Sequence, residues 1–257
     1  MENFIADKAW VEENYHGEED FIIPDSVIEI GEHAFWGCDS LKSIKLPDSI
    51  TKIEYGVFAY CDSLESIHVP ESVTEIGEYT FYKCKSLESI ELPESLTKIG
   101  EGAFYSCKSL KSIHIPEGVT KIEENVFEYC DSLESIKLPE SVTEIGRQAF
   151  YDCKSLKSIE IPTSVTEIGN SAFEGCENLT IQCNHNSYAE QYANRNHFPV
   201  VYLDENFLAD KIQDISRKMA ALQSELNDCL KLMNTGEYSI DVEHPKEKKI
   251  PIEHGDN

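Results

Sequence analysis

The chain has 257 residues with 22 basic and 48 acidic side chains, a net charge of −26, and 40% hydrophobic residues against only 13 glycines and 10 prolines. This balance suits a folded chain and excludes a collagen-like or low-complexity one. The negative charge excludes binding to a nucleic-acid backbone, which needs lysine and arginine to release counterions, and binding to anionic membrane surfaces.

Residues 1–20 show no basic start followed by a long apolar run, and the longest apolar stretch there is Ala9-Trp10-Val11. No secretory signal is read there, and nothing along the chain approaches the roughly 20 apolar residues of a membrane helix. The expectation is a cytoplasmic protein with reduced thiols. A surface location by an unrecognised route is the alternative. The same twenty residues predict an N-terminal cap, with Phe4, Ile5, Trp10 and Val11 as its apolar payload.

Residues 21–183 repeat. Prolines fall at 24, 47, 70, 93, 116, 139 and 162, every 23 residues. Cysteines (38, 61, 84, 107, 130, 153, 176), phenylalanines from Phe35 to Phe173, isoleucines from Ile30 to Ile168 and leucines from Leu41 to Leu179 keep the same step. Tyr60–Ile67 and Tyr129–Ile136 both read YCDSLESI. A fixed step of this length marks a solenoid, in which stacking buries what one repeat cannot bury alone. Within a repeat, Ser43-Ile44-Lys45-Leu46 alternates polar and apolar, the pattern of a half-buried strand. Pro47 ends it, because proline cannot donate to a ladder. Val-x-x-Ile then returns the chain, and Ala-Phe-x-x-Cys predicts a tight helical turn.

With Leu-x-x-Ile-x-Leu-Pro, Val-x-x-Ile and Ala-Phe-x-x-Cys in view, the chain from about Phe21 to Cys183 resembles the BspA-like (Treponema-type) leucine-rich repeat class. The resemblance implies an α/β leucine-rich-repeat solenoid, curved and right-handed, that binds other proteins. Many members are bacterial surface proteins or adhesins. The fold expected here is seven stacked 23-residue repeats with a parallel strand ladder, capped at both ends and followed by an amphipathic C-terminal helix.

Residues 184–202 predict the C-terminal cap, with a short helix at Ser187–Ala193 and a strand at Phe198–Tyr202. In residues 203–234, Leu208, Ile212, Ile215, Met219, Leu222, Leu226, Cys229 and Met233 recur at alternating steps of 4 and 3, a heptad seam, and Asn234-Thr-Gly236 is a helix stop. Lys211, Lys218 and Glu225 flank the seam, but so do Leu230 and Leu232. Three readings stay open: packing on the solenoid, homo-oligomerisation through residues 208–233, or docking on another protein. Residues 235–257 read as a disordered tail. Glu2–Lys8 (ENFIADK) recurs as Glu205–Lys211 (ENFLADK) with six of seven identities, and no physical argument from sequence explains it.

Candidate binding residues come from columns in the repeat. The outward strand column reads Lys45, His68, Glu91, His114, Lys137, Glu160, beside a serine column of Ser43, Ser66, Ser89, Ser112, Ser135 and Ser158. Small side chains leave a floor that a partner can approach, although serine hydroxyls bonding one another between strands would use them up. Trp36, Tyr60, Tyr82, Tyr105, Tyr129 and Tyr151 follow the repeat phenylalanines by one or two residues. Such side chains are typical interface anchors, and packing between repeats explains them equally well.

No metal and no cofactor is expected. His68 and His114 flank Glu91, but two strand spacings, roughly 10 Å, separate the histidines. The cysteine column reads as core, because free cysteine behaves as a small buried hydrophobe. No Gly-x-Ser-x-Gly, Gly-x-x-x-x-Gly-Lys or His-Glu-x-x-His occurs, so no catalytic residue is assigned. The function expected is a non-enzymatic protein-interaction scaffold using the strand face and the C-terminal helix. A surface or secreted adhesin is the alternative, and an acidic decoy of nucleic acid a distant third.

Overall fold

A computed structural model describes residues 4–204 and 206–235. The chain divides into two compact units, Met1–Asp204 and Glu205–Asn257. The first is a parallel-strand solenoid of about nine turns, the repeats together with a turn at each end. The expected tail from residue 236 onward, and the Gly236 helix stop, lie outside the described residues.

Each coil has three sides. On the first, strands pair in parallel one repeat apart: Asp20–Ile22 with Ser43–Lys45, then Ser43–Lys45 with Ser66–His68, in the register Ser43↔Ser66, Ile44↔Ile67, Lys45↔His68. A second run joins Ser135–Lys137, Ser158–Glu160, Thr180–Cys183 and Val200–Tyr202. The ladder predicted as continuous is interrupted between these runs. There only His68↔Glu91 bridges, and residues 112–114 form no strand. Coil-to-coil bonds persist just before the gap, from Glu88 N–H to Glu65 O and Lys111 N–H to Glu88 O, each 3.2 Å. The second side carries the Val-x-x-Ile segments, where Lys52–Ile53, Glu75–Ile76 and Lys98–Ile99 pair, as do Lys121–Ile122, Glu144–Ile145 and Glu167–Ile168. These are the inward isoleucines of the repeat, and all six are buried.

The third side differs from the helical turn that Ala-Phe-x-x-Cys predicts. Alternate N–H groups leave the coil altogether: His33, Phe35 and Gly37 donate to Tyr55, Val57 and Ala59 carbonyls of the next coil at 3.0, 3.0 and 2.9 Å. Ala34, Trp36 and Cys38 instead donate back three residues, to Gly31, His33 and Phe35. This alternation needs two left-handed residues per coil. One column is His33, Gly56, Tyr79, Gly102, Asn125, Gln148 and Ser171; the other is Gly37, Tyr60, Lys83, Ser106, Tyr129, Asp152 and Gly175, with φ between 53° and 83°. Left-handed backbone costs a non-glycine residue about 1–2 kcal/mol, and the bonds between coils offset it. The coils also approach closely: a Cβ on Gly100 would lie 2.5 Å from the Glu78 backbone nitrogen.

Seven phenylalanines from Phe35 to Phe173 form the spine of the core, each fully buried and stacked on its neighbours at 5.2–5.6 Å between centroids. The cysteine column points inward beside them. Cys61, Cys84, Cys107, Cys130, Cys153 and Cys176 each donate the thiol to the phenylalanine carbonyl of the preceding coil, at 3.1–3.2 Å. All nine cysteines are free, and Cys229 alone is exposed. Native protein at pH 8 should therefore alkylate rapidly at Cys229 only, and denatured protein at all nine, with no change of fold in reductant. Fewer than nine thiols after denaturation would contradict this.

At the N-terminal end, Phe4–Ala6 pairs with Val27–Ile30, and Asp7 caps helix α1 (Lys8–Asn14) by accepting from Trp10 N–H at 2.9 Å. Ala6 and Val11 are buried, with Phe4 and Trp10 packed beside them. Ile5, expected in the apolar payload, is 48% exposed, because its neighbours Phe4 and Ala6 take the inward side of the strand. At the other end helix α2 (Tyr188–Asn196) starts on Ser187, whose hydroxyl accepts from Glu190 N–H, and ends on His197 in the left-handed conformation. Helix α3 (Phe207–Thr235) makes up the described part of the second unit. The near-copy of residues 2–8 thus adopts a different structure: Phe4–Ala6 is strand, whereas Phe207–Ala209 opens a helix of 29 residues.

Candidate functional site

The outward strand positions fall where the period-two pattern places them. Lys45, His68, Ser66, Ser135 and Lys137 are exposed, Ser43, Ser158 and Glu160 half-exposed, and the isoleucines between them buried. Ser89, Glu91, Ser112 and His114 are exposed in the segment where the ladder is interrupted. Serine hydroxyls do not bond one another among the described residues; Ser43 donates instead to Asp20. Lys137 pairs with Glu160 across the strands at 3.2 Å, while His114 reaches Glu94 at 3.4 Å rather than Glu91. His68 and His114 do not converge on Glu91 in a set of three ligands, and among the described residues no group of three such side chains is placed to hold a metal.

One residue of this face escapes sequence reading. Ile22 stands one repeat before Lys45 in the outward column, pairs with it in register, and is 69% exposed. The signal was the period itself: carried back one coil, the outward column begins with an apolar residue. Ile22 edges a depression of about 520 Å³ on the strand face, together with Asp20, Ser43, Lys45, Ser66 and His68.

The aromatic residues occupy two positions of the turn, yet their rings meet in one unbroken series. Trp36–Tyr60, Tyr60–Tyr82, Tyr82–Tyr105, Tyr105–Tyr129 and Tyr129–Tyr151 have centroids 4.9, 5.3, 4.7, 5.5 and 5.6 Å apart. Tyr55 and Tyr79, absent from the sequence-based candidates, join the series beside Tyr82. Burial raises the Tyr105 phenol to about 12, helped by the Glu128 carboxylate. Burial and the Glu101 carboxylate, which accepts the Tyr79 hydroxyl proton, push Tyr79 up as well. These phenols stay neutral at any physiological pH.

In α3 the seam residues are exposed: Leu208 64%, Ile212 64%, Ile215 48%, Met219 66%, Leu222 65% and Leu226 53%. No helix among the described residues is long and apolar enough to cross a membrane.

The profile of the BspA type leucine rich repeat region matches residues 13–134 and 122–227, in six copies. No protein of curated function matches the chain. Among solved structures, the Treponema pallidum leucine rich repeat protein TpLRR is 28% identical, with 72% of this chain and 86% of that one covered and a TM-score of 0.62. The pneumococcal vaccine antigen PcpA, at 20% identity, 72% and 56% coverage and a TM-score of 0.50, shares the fold. The inward isoleucines, the phenylalanine spine and the thiol column are thus parts of one recurring coil, and the chain belongs to the BspA-type leucine-rich repeat family.

Proposed function

We propose that the protein is a non-enzymatic scaffold that binds another protein on its strand face. The depression between Asp20 and His68, with Ile22 exposed at its edge, carries this reading. An exposed isoleucine beside paired polar residues is the composition of an interface core with a polar rim. Affinity purification with the full chain and with an Ile22→Asp/His68→Ala variant tests it. Partners of the wild type should be missing or at least tenfold depleted with the variant, as expected when an interface anchor is lost. An unchanged set of captured proteins would sink the strand-face assignment. Repeating the capture from intact cells with and without surface labelling assigns the compartment, cytoplasmic in this reading and exterior in the adhesin reading.

The exposed seam of α3 is proposed as a self-association element, since eight consecutive positions keep the heptad step. Leu222→Asp with Leu226→Asp should turn a dimer into a monomer in light scattering, with the solenoid's melting temperature nearly unchanged. A wild type that is already monomeric at about 100 µM, well above the dissociation constant of a useful coiled coil, would count against it.

A further inference from the structure

We propose that the aromatic series on the turn side is a docking site for an extended, arginine-bearing segment of a partner protein. The inference rests on the scaffold reading above and adds to it a second surface with a defined chemistry. Trp36, Tyr55, Tyr60, Tyr79 and Tyr82 line an open depression of about 260 Å³, and Trp36 is 42% exposed. A core explanation accounts for rings stacked between coils. It does not account for rings left open around a depression, nor for what surrounds them.

The surroundings select a cation. Tyr55 also lines an adjoining depression in which Glu32, Glu54, Glu75 and Glu78 face Lys52 and Lys98. Lys52 pairs with Glu54 at 2.9 Å, and acidic side chains outnumber basic ones four to two beside the rings. Glu101 bonds the Tyr79 hydroxyl. Among the described residues, Glu32, Glu78 and Glu101 take part in no ion pair, whereas Asp62 pairs with Lys85, and Asp131 with Lys108 and Lys154. With Lys52 and Lys98 counted, the depression beside Tyr55 keeps a net negative charge.

The protein already demonstrates the contact. The Lys83 ammonium lies 5.1 Å from the centroids of both Tyr60 and Tyr82. That is cation–π distance, and a carboxylate beside the ring adds its own Coulombic attraction for the cation. Arginine suits the remaining rings better than lysine, because its planar guanidinium stacks on aromatic faces while donating to carboxylates at its edge. The ring steps of 4.7–5.6 Å follow the coils, and an extended peptide places side chains of one face about 6.7 Å apart. A segment lying along the solenoid axis would thus place two or three successive same-face side chains on rings before the two spacings fall out of step.

The test uses the full chain and a fluorescein-labelled ten-residue peptide of alternating arginine and glycine, read by anisotropy in 0.15 M salt. A citrulline peptide of the same sequence keeps the shape and removes the charge, and should bind at least tenfold more weakly. Trp36→Leu/Tyr55→Leu keeps the net charge and should weaken the arginine peptide about tenfold, the scale of two cation–π contacts. Unchanged binding by this variant would show that the peptide follows the general negative field, and would overturn the proposal. Lys83→Met and Lys85→Met remove the same charge at different places, so they serve where the ring variant fails to fold. Lys83→Met should bind the peptide severalfold more tightly than Lys85→Met, because it vacates the ring faces; equal affinities would overturn the site. The strand-face variant Ile22→Asp/His68→Ala should leave peptide binding intact. Failure of either surface is therefore read separately from the other.

Discussion

Raising the pH from 8 to 10 is expected to remove most of the stability of the solenoid. Cys61, Cys84, Cys107 and Cys130 are fully buried, and burial holds each thiol far above its ordinary ionisation range. In the unfolded chain the same thiols ionise near pH 8.5. The sign follows: the neutral thiol is favoured by folding, so its contribution is fully present below the unfolded value. It is lost as the pH rises toward the folded one. Above about pH 8.5 each thiol retained in the fold costs about 1.4 kcal/mol per pH unit, so four cost about 5–6 kcal/mol per unit. Urea denaturation at pH 8, 9 and 10 measures this, with the midpoint falling steeply above pH 8.5. Cys107→Ser should flatten the slope by one thiol's share. A midpoint that does not move over this range would mean that the thiols ionise within the folded state.

Phe104→Ala should cost about 3–5 kcal/mol, the usual loss for a buried aromatic ring. Phe104 is fully buried and stacked between Phe81 at 5.3 Å and Phe127 at 5.6 Å, so both adjoining coils lose a partner surface. In a stack where each coil leans only on its neighbours, the damage spreads along the axis. Hydrogen exchange should therefore quicken in the flanking coils and fade toward the ends. The exposed Lys45→Ala should change stability by no more than about 0.5 kcal/mol. Comparable losses for the two variants would contradict the inside–outside assignment.

The inward half of the coil was legible because each inward position repeats one residue type. Proline, isoleucine, phenylalanine, cysteine and leucine recur every 23 residues because the same cavity recurs. The turn side was misread as helical for a definite reason. Its two left-handed columns hold His33, Tyr79, Lys83 and Gln148 as well as glycine, so residue type does not announce the backbone conformation. The pairing of cysteine thiols with phenylalanine carbonyls was hidden likewise, since a buried thiol looks the same in sequence whether or not it donates. Of the proposed surfaces, the outward column was legible from alternation alone. Tyr55 and Tyr79 were missed because they stand outside the position that follows the phenylalanine. Ring proximity across coils is set by the third side's geometry, which no single repeat displays.

On that third side the bonds between coils run one way, from the N–H groups of one coil to the carbonyls of the next. Every seam therefore presents the same donor row and the same acceptor row, and a coil removed or duplicated at any seam leaves matched rows behind it. Within the repeats the unit of such a change is one coil of 23 residues, extending the stack by about 4.8 Å. Two stretches as alike as Tyr60–Ile67 and Tyr129–Ile136 are natural points for unequal recombination between gene copies. The span of the ring series would then lengthen or shorten like a ruler gaining or losing divisions, while both capped ends kept their chemistry.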